Sequence, residues 1–204
     1  MKTADIISIF PTPIYVTNIN RKLTEEEMLF IKKCKKISHS NVGNVTSDDN
    51  YVLENEIFKN LKNELDILVK DYYMKIVSIT SNITPYITQS WLNYTNKDQF
   101  HHKHEHPNSF VSGVFYPDCD QKVDAIKFFN ELYKQIVPHP RELNGFNSRT
   151  YTLPLKTGDI VLFPSSLTHM VETKKGNNTR TSLAFNTFMK GTIGDKSGLT
   201  ELIL

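Results

Sequence analysis

From Pro85 onward the chain reads as short runs of β-forming residues, and this narrows its possible folds more than any other feature. Candidate strands cover residues 87–95, 110–116, 125–129, 159–163, 170–173 and 180–189. Turn formers separate them: Asn96-Lys97-Asp98, Pro117-Asp118, Thr157-Gly158 and Lys175-Gly176-Asn177. No helical pattern alternates with these runs, which argues against a parallel βαβ sheet. Antiparallel sheets in a jelly roll or cupin-like barrel are expected instead. Residues 130–147, with Pro138, Pro140 and Gly145, form a long connection that reads either as a lid or as a plain surface excursion.

The first third has a different period. Thr24 and Glu27 have capping-box spacing, which starts a helix that should run to about Ser38. Ile57, Phe58, Leu61, Leu65, Leu68 and Tyr72 recur at helical spacing and predict a second helix over residues 54–76. The fold class expected is mainly β with N-terminal helices. Residues 1–84 would form a mostly helical layer and residues 85–190 the barrel core of a single domain, 1–204.

Composition removes several function classes. A net charge of +2 over 204 residues indicates neither a nucleic-acid partner nor an anionic membrane. The two cysteines, Cys34 and Cys119, form no disulfide framework. No basic stretch leads into an apolar one before Pro11, so no secretory leader is read there. No apolar run is long enough to span a bilayer, and the expected location is the cytoplasm.

Chemistry concentrates at Phe100-His101-His102-Lys103-His104-Glu105-His106-Pro107, which holds four of the seven histidines. On a strand, residues two apart share a face, so His104 and His106 can aim two imidazoles at one point. Imidazole is a common ligand for iron, zinc, copper and nickel. A metal-free surface cluster is the other reading. Downstream, an apolar strand ends at Pro164 and His169 opens the next, where it can serve as a third ligand across a barrel. Arg180 and Ser182 share a strand face beyond the next turn, on a strand expected to return beside His169. An inward arginine needs an anion, and its planar fork suits a carboxylate; an exposed strand-end arginine needs neither.

Together these pieces resemble the 2-oxoglutarate- and iron-dependent oxygenases. The matching residues are His104-Glu105-His106, His169 and Arg180-Thr181-Ser182. Trp91-Leu92-Asn93, the run His101 to Pro107, Ser112-Gly113-Val114-Phe115-Tyr116 and Ser182-Leu183-Ala184-Phe185-Asn186 fit a poorly characterised bacterial and phage group within that family. The resemblance implies a double-stranded β-helix and an iron(II) centre held by His104, His106 and His169. It further implies that Arg180 and Ser182 grip 2-oxoglutarate and that Asn93 is a polar contact to it or a metal ligand, with packing of its strand the other reading; Tyr116 and Asn186 are weaker candidates.

The implied reaction is a dioxygenase hydroxylation of an organic prime substrate, which consumes O2 and releases succinate and CO2. A homodimer is admissible. The family's usual triad is two histidines and a carboxylate, whereas His106 stands at the carboxylate position. Glu105 becomes the alternative ligand if the segment is a loop. The small residue that makes room for halide in the family's halogenases is absent, which disfavours halogenation. A cupin metal site or 2-oxoglutarate-independent dioxygenase is the competing class. It lacks the glutamate that cupins place four or five residues after His-x-His, because Phe110 and Val111 stand there.

Overall fold

The computed structural model describes residues 4–131, 136 and 139–204. Its elements run β1 (Tyr15–Asn18), α1 (Glu25–Lys36), β2 (His39–Ser40), β3 (Val45–Thr46), α2 (Lys59–Tyr72), β4 (Ile83–Thr95), β5 (His101–His104) and β6 (Val111–Asp118). They continue with β7 (Ala125–Phe129), β8 (Thr150–Pro154), β9 (Asp159–Pro164), β10 (His169–Val171), β11 (Arg180–Ile193) and β12 (Leu202–Ile203).

The α1 helix begins where its capping box predicts. The Thr24 hydroxyl accepts from the Glu27 amide at 3.2 Å, and the Glu27 carboxylate accepts from the Thr24 amide at 2.7 Å. Glu27, Ile31 and Cys34 make the buried stripe. The second helix starts later than its periodicity suggests, at Lys59. Residues Val52–Glu54 and Glu56–Phe58 form two short 3-10 turns, broken apart by the extended backbone of Asn55. Leu61, Leu65, Val69 and Tyr72 are its buried face, and a π-helical turn, Tyr73–Val77, completes it.

Two antiparallel sheets follow. The larger has the order β1-β9-β6-β11-β4-β3-β2, with β12 added beside β11. The smaller has the order β5-β10-β7-β8. Alternation along the large sheet divides its side chains between two cores. Leu92, Tyr94, Phe115, Leu162, Leu183 and Phe185 pack with the buried faces of α1 and α2. Val114, Tyr116, Val161, Phe163 and Ala184 pack with Ile126 and Phe128 of the small sheet. The helices therefore cover one face of the large sheet and the small sheet covers the other, as expected for the jelly-roll class.

Gly113 has a steric reason. A Cβ there would lie 2.1 Å from the Phe185 ring and 2.7 Å from Leu162, its neighbours on the flanking strands. Several short strands, β1, β2, β3, β8 and β12, carry no usable alternation; β8 for example is largely exposed on both faces. Of the expected 130–147 loop, residues 132–135, 137 and 138 lie outside the described residues.

Candidate metal centre

The small sheet brings two histidines together directly. β5 and β10 pair with His104 opposite His169, and the ring centroids lie 4.3 Å apart. His106 arrives differently from the alternation argument. β5 ends at His104, so His106 lies in the following loop, where its amide donates to the Ser165 carbonyl at 3.0 Å. The imidazole still reaches the same point, with centroids 5.2 Å from His104 and 5.0 Å from His169. One ligand atom from each of the three lies within 4.8 Å of the others. Glu105 is exposed and stands outside this group, although the segment is a loop.

Hydrogen bonds at Nδ1 set the imidazole tautomers. His104 Nδ1 lies 2.7 Å from the His102 carbonyl and His169 Nδ1 3.0 Å from the Leu167 carbonyl. A carbonyl only accepts, so both Nδ1 atoms donate and both Nε2 atoms keep a lone pair. His106 Nδ1 lies 2.9 Å from Asn186 Oδ1 and 2.7 Å from the Ser112 hydroxyl. The acceptor Asn186 Oδ1 assigns the proton to Nδ1 here too. Burial, followed by the neighbouring His104, holds the His106 pKa down at about 4. Burial, followed by His104 and then His106, holds that of His169 at about 3. The rings are therefore neutral, the form that ligates metals.

The opposite wall belongs to the large sheet. Trp91, Asn93, Tyr116, Ser182 and Arg180 line a narrow cleft with the three histidines. Asn93 and Ser182 are partners in the β4–β11 register. Asn93 Oδ1 is buried without a hydrogen-bond partner, while the adjacent Tyr94 points the other way and donates to the Ile31 carbonyl at 2.7 Å. The sequence suggests that Arg180 returns on a strand beside His169. Instead β11 and β10 lie in different sheets, so the arginine faces the histidines across the barrel.

Arg180 is only 2% exposed. Among the described residues its side chain makes one hydrogen bond, a long 3.5 Å contact from an η nitrogen to the Ala125 carbonyl, and Nε has no partner. Among the described residues it forms no ion pair, because the nearby buried Asp124 is taken by Lys174 at 2.6 Å. The same arginine lines a second cavity, of about 380 Å³, with Thr95, Ala125 and Lys127. A buried guanidinium without a counter-charge is costly, and an anion in this cleft would offset that cost.

His104, His106, His169, Arg180, Ser182 and Asn93 thus meet in one cleft together with Tyr116, while Asn186 contacts His106 and Glu105 is exposed. Ser112 and His101, both within quoted motifs, also enter the site, and no local spacing rule selects them. A second three-histidine group, His101, His102 and His104, shares His104 with the first.

Residues 89–186 match the family described as "Putative 2OG-Fe(II) oxygenase". No curated protein sequence matches the chain. Among solved structures, a 2OG-Fe(II) oxygenase family oxidoreductase from Burkholderia pseudomallei is similar at a TM-score of 0.56 and 14% identity, covering 85% of this chain and 83% of that one. HygX from Streptomyces hygroscopicus, solved with nickel, 2-oxoglutarate and hygromycin B, aligns at 0.58 and 13% identity over 86% and 82% of the two chains. A prolyl hydroxylase from Trichoplax adhaerens, in complex with a hypoxia inducible factor peptide fragment, aligns at 0.60 and 11% identity over 86% and 83%. These likenesses establish the double-stranded β-helix. The family match spans every residue of the cleft, so the region that carries the site is similar to the 2OG-Fe(II) oxygenases.

Proposed function

We propose that this protein is an iron(II)- and 2-oxoglutarate-dependent dioxygenase that hydroxylates an organic substrate. His104, His106 and His169 would hold the metal, and Arg180, Ser182 and Asn93 the co-substrate. The observation that carries this reading is one cleft holding three convergent neutral imidazoles and a buried arginine with no counter-charge.

The residues fit such a metal on their own chemistry. Each Nδ1 proton has an acceptor, which leaves three Nε2 lone pairs, and imidazole suits iron. When bound, iron(II) with 2-oxoglutarate supplies O2 activation, with succinate and CO2 as by-products. The chain does the rest. Arg180 offers a planar fork to a carboxylate, and Ser182 and Asn93 add polar contacts beside it. Trp91, Phe163 and Phe128 form the apolar surroundings that keep water from the site. With His106 in place of a carboxylate, the site carries one more positive charge than the usual triad, which favours a dianionic co-substrate. A cupin-type centre would leave Arg180 without a role.

Neighbours include a bacterial prolyl-4-hydroxylase from Pseudomonas putida, which supports hydroxylation as the reaction type. The test is anaerobic titration of the purified protein with iron(II) and 2-oxoglutarate, followed by succinate measurement on admitting O2. Joint binding and slow uncoupled succinate formation are expected. Tight metal binding with no 2-oxoglutarate affinity would move the chain to the cupin class.

A further inference from the structure

His101 enters the cleft through a backbone irregularity. In the β5–β10 pairing, His104 stands opposite His169 and His101 opposite Val171, so three residues of one strand span two of the other. In a regular strand, residues three apart face opposite sides. The bulge cancels that alternation. His101 therefore stacks on His104 at 4.4 Å and lines the same cleft as Arg180, Asn93 and Ser182.

Its tautomer is set from the β2–β3 turn. The Val42 amide donates to Asn41 Oδ1 at 2.8 Å, which turns the Asn41 Nδ2 amide towards His101 Nε2 at 3.4 Å. Nε2 accepts, so the ring proton resides on Nδ1. That N–H has no acceptor among the hydrogen bonds of the described residues. His101 is also poorly set up as a ligand of the second histidine group. Its Nε2 lone pair is engaged by Asn41.

We propose that His101 is a second binding residue for the dicarboxylate co-substrate, donating from Nδ1 to a carboxylate oxygen beside Arg180. This rests on the dioxygenase reading above. It assigns the first histidine of the run to the co-substrate rather than the metal, and it gives the N-terminal β2–β3 hairpin a part in the site through Asn41.

The test is calorimetric titration of 2-oxoglutarate into nickel(II)-loaded protein, which binds without turnover, with nickel affinity measured separately. His101→Phe keeps an aromatic ring but removes the donor. It should weaken 2-oxoglutarate binding about ten- to hundredfold, the worth of a hydrogen bond to a charged group. Nickel affinity should stay within about twofold. His101→Gln, which retains a donor, should recover part of the loss, and Asn41→Ala should cost a smaller factor.

Unchanged 2-oxoglutarate affinity in His101→Phe, beside a wild type that binds it, overturns this assignment and leaves the dioxygenase reading standing. Loss of nickel in both His101 variants would make His101 a metal ligand and also overturn it. A wild-type protein that binds nickel but no 2-oxoglutarate removes both readings together.

Discussion

His106 and Asn186, eighty positions apart, meet through a 2.9 Å contact between Nδ1 and Oδ1. The Ser112 hydroxyl joins them, 2.7 Å from His106 Nδ1 and 3.0 Å from Asn186 Oδ1. A hydroxyl chain continues outward, from Ser112 to Ser165 at 2.8 Å and from Ser165 to Ser109 at 2.8 Å. A neutral imidazole at this position has no charge to attract a metal. Its orientation must come from such fixed partners.

Removing those partners should therefore weaken the metal site without touching a ligand. Asn186→Ala and Ser112→Ala should each lower metal affinity about ten- to hundredfold. Competition against a chelating dye measures it. Wild-type affinity in both variants would show that packing alone orients His106.

Ligand identity separates at neighbouring positions. His106→Ala and His169→Ala should abolish tight metal binding, while exposed Glu105→Gln should retain most of it. His106→Asp restores a carboxylate and should still bind. The same dye competition reads all four, and the reverse ranking of Glu105 and His106 would identify the glutamate as ligand.

Arg180→Ala should weaken 2-oxoglutarate binding by roughly a hundredfold or more, since breaking a buried charge pair costs about 3–5 kcal/mol. Metal affinity should change little. Arg180→Lys should fall between, because it keeps the charge and loses the fork. Equal 2-oxoglutarate affinity in Arg180→Ala and wild type would remove the arginine from the site.

Gly113→Ala tests the packing of the large sheet. The new methyl must displace the Phe185 ring, which is fully buried. Overpacking of this kind costs about 1–3 kcal/mol, readable as a lower denaturation midpoint. A neutral result would mean that Phe185 can rotate away.

Glu27 couples the α1 cap to acid stability. It is 1% exposed and its two carboxylate oxygens lie 3.0 Å from two nitrogens of Arg21. Burial alone would raise its pKa, but the Arg21 guanidinium and the Thr24 amide outweigh that and hold it below the ordinary value. A depressed folded pKa gives stability that is present above the ordinary Glu value and lost as pH falls through the folded one. Glu27→Gln should cost about 1–3 kcal/mol at neutral pH. Chemical denaturation across pH should show that cost shrinking in acid; a constant deficit would point to shape rather than charge.

Much of this molecule was legible in one dimension. The Thr24–Glu27 cap, the helical stripe from Leu61 to Tyr72 and the faces of β4 and β11 follow from local spacing, because capping and alternation are set by neighbours in the chain. His104, His106, His169, Arg180, Ser182 and Asn93 could be named together because their motifs resemble those of the oxygenase family. Tertiary structure decided what spacing cannot carry. Where β5 stops, and hence that His106 lies in a loop, depends on the distant Ser165 carbonyl. That His101 faces inward depends on a bulge against β10. That Arg180 crosses the barrel rather than returning beside His169 depends on which sheet its strand joins. Alternation assigns a side chain to a face only while a strand stays regular, and pairing with remote strands determines where that regularity ends.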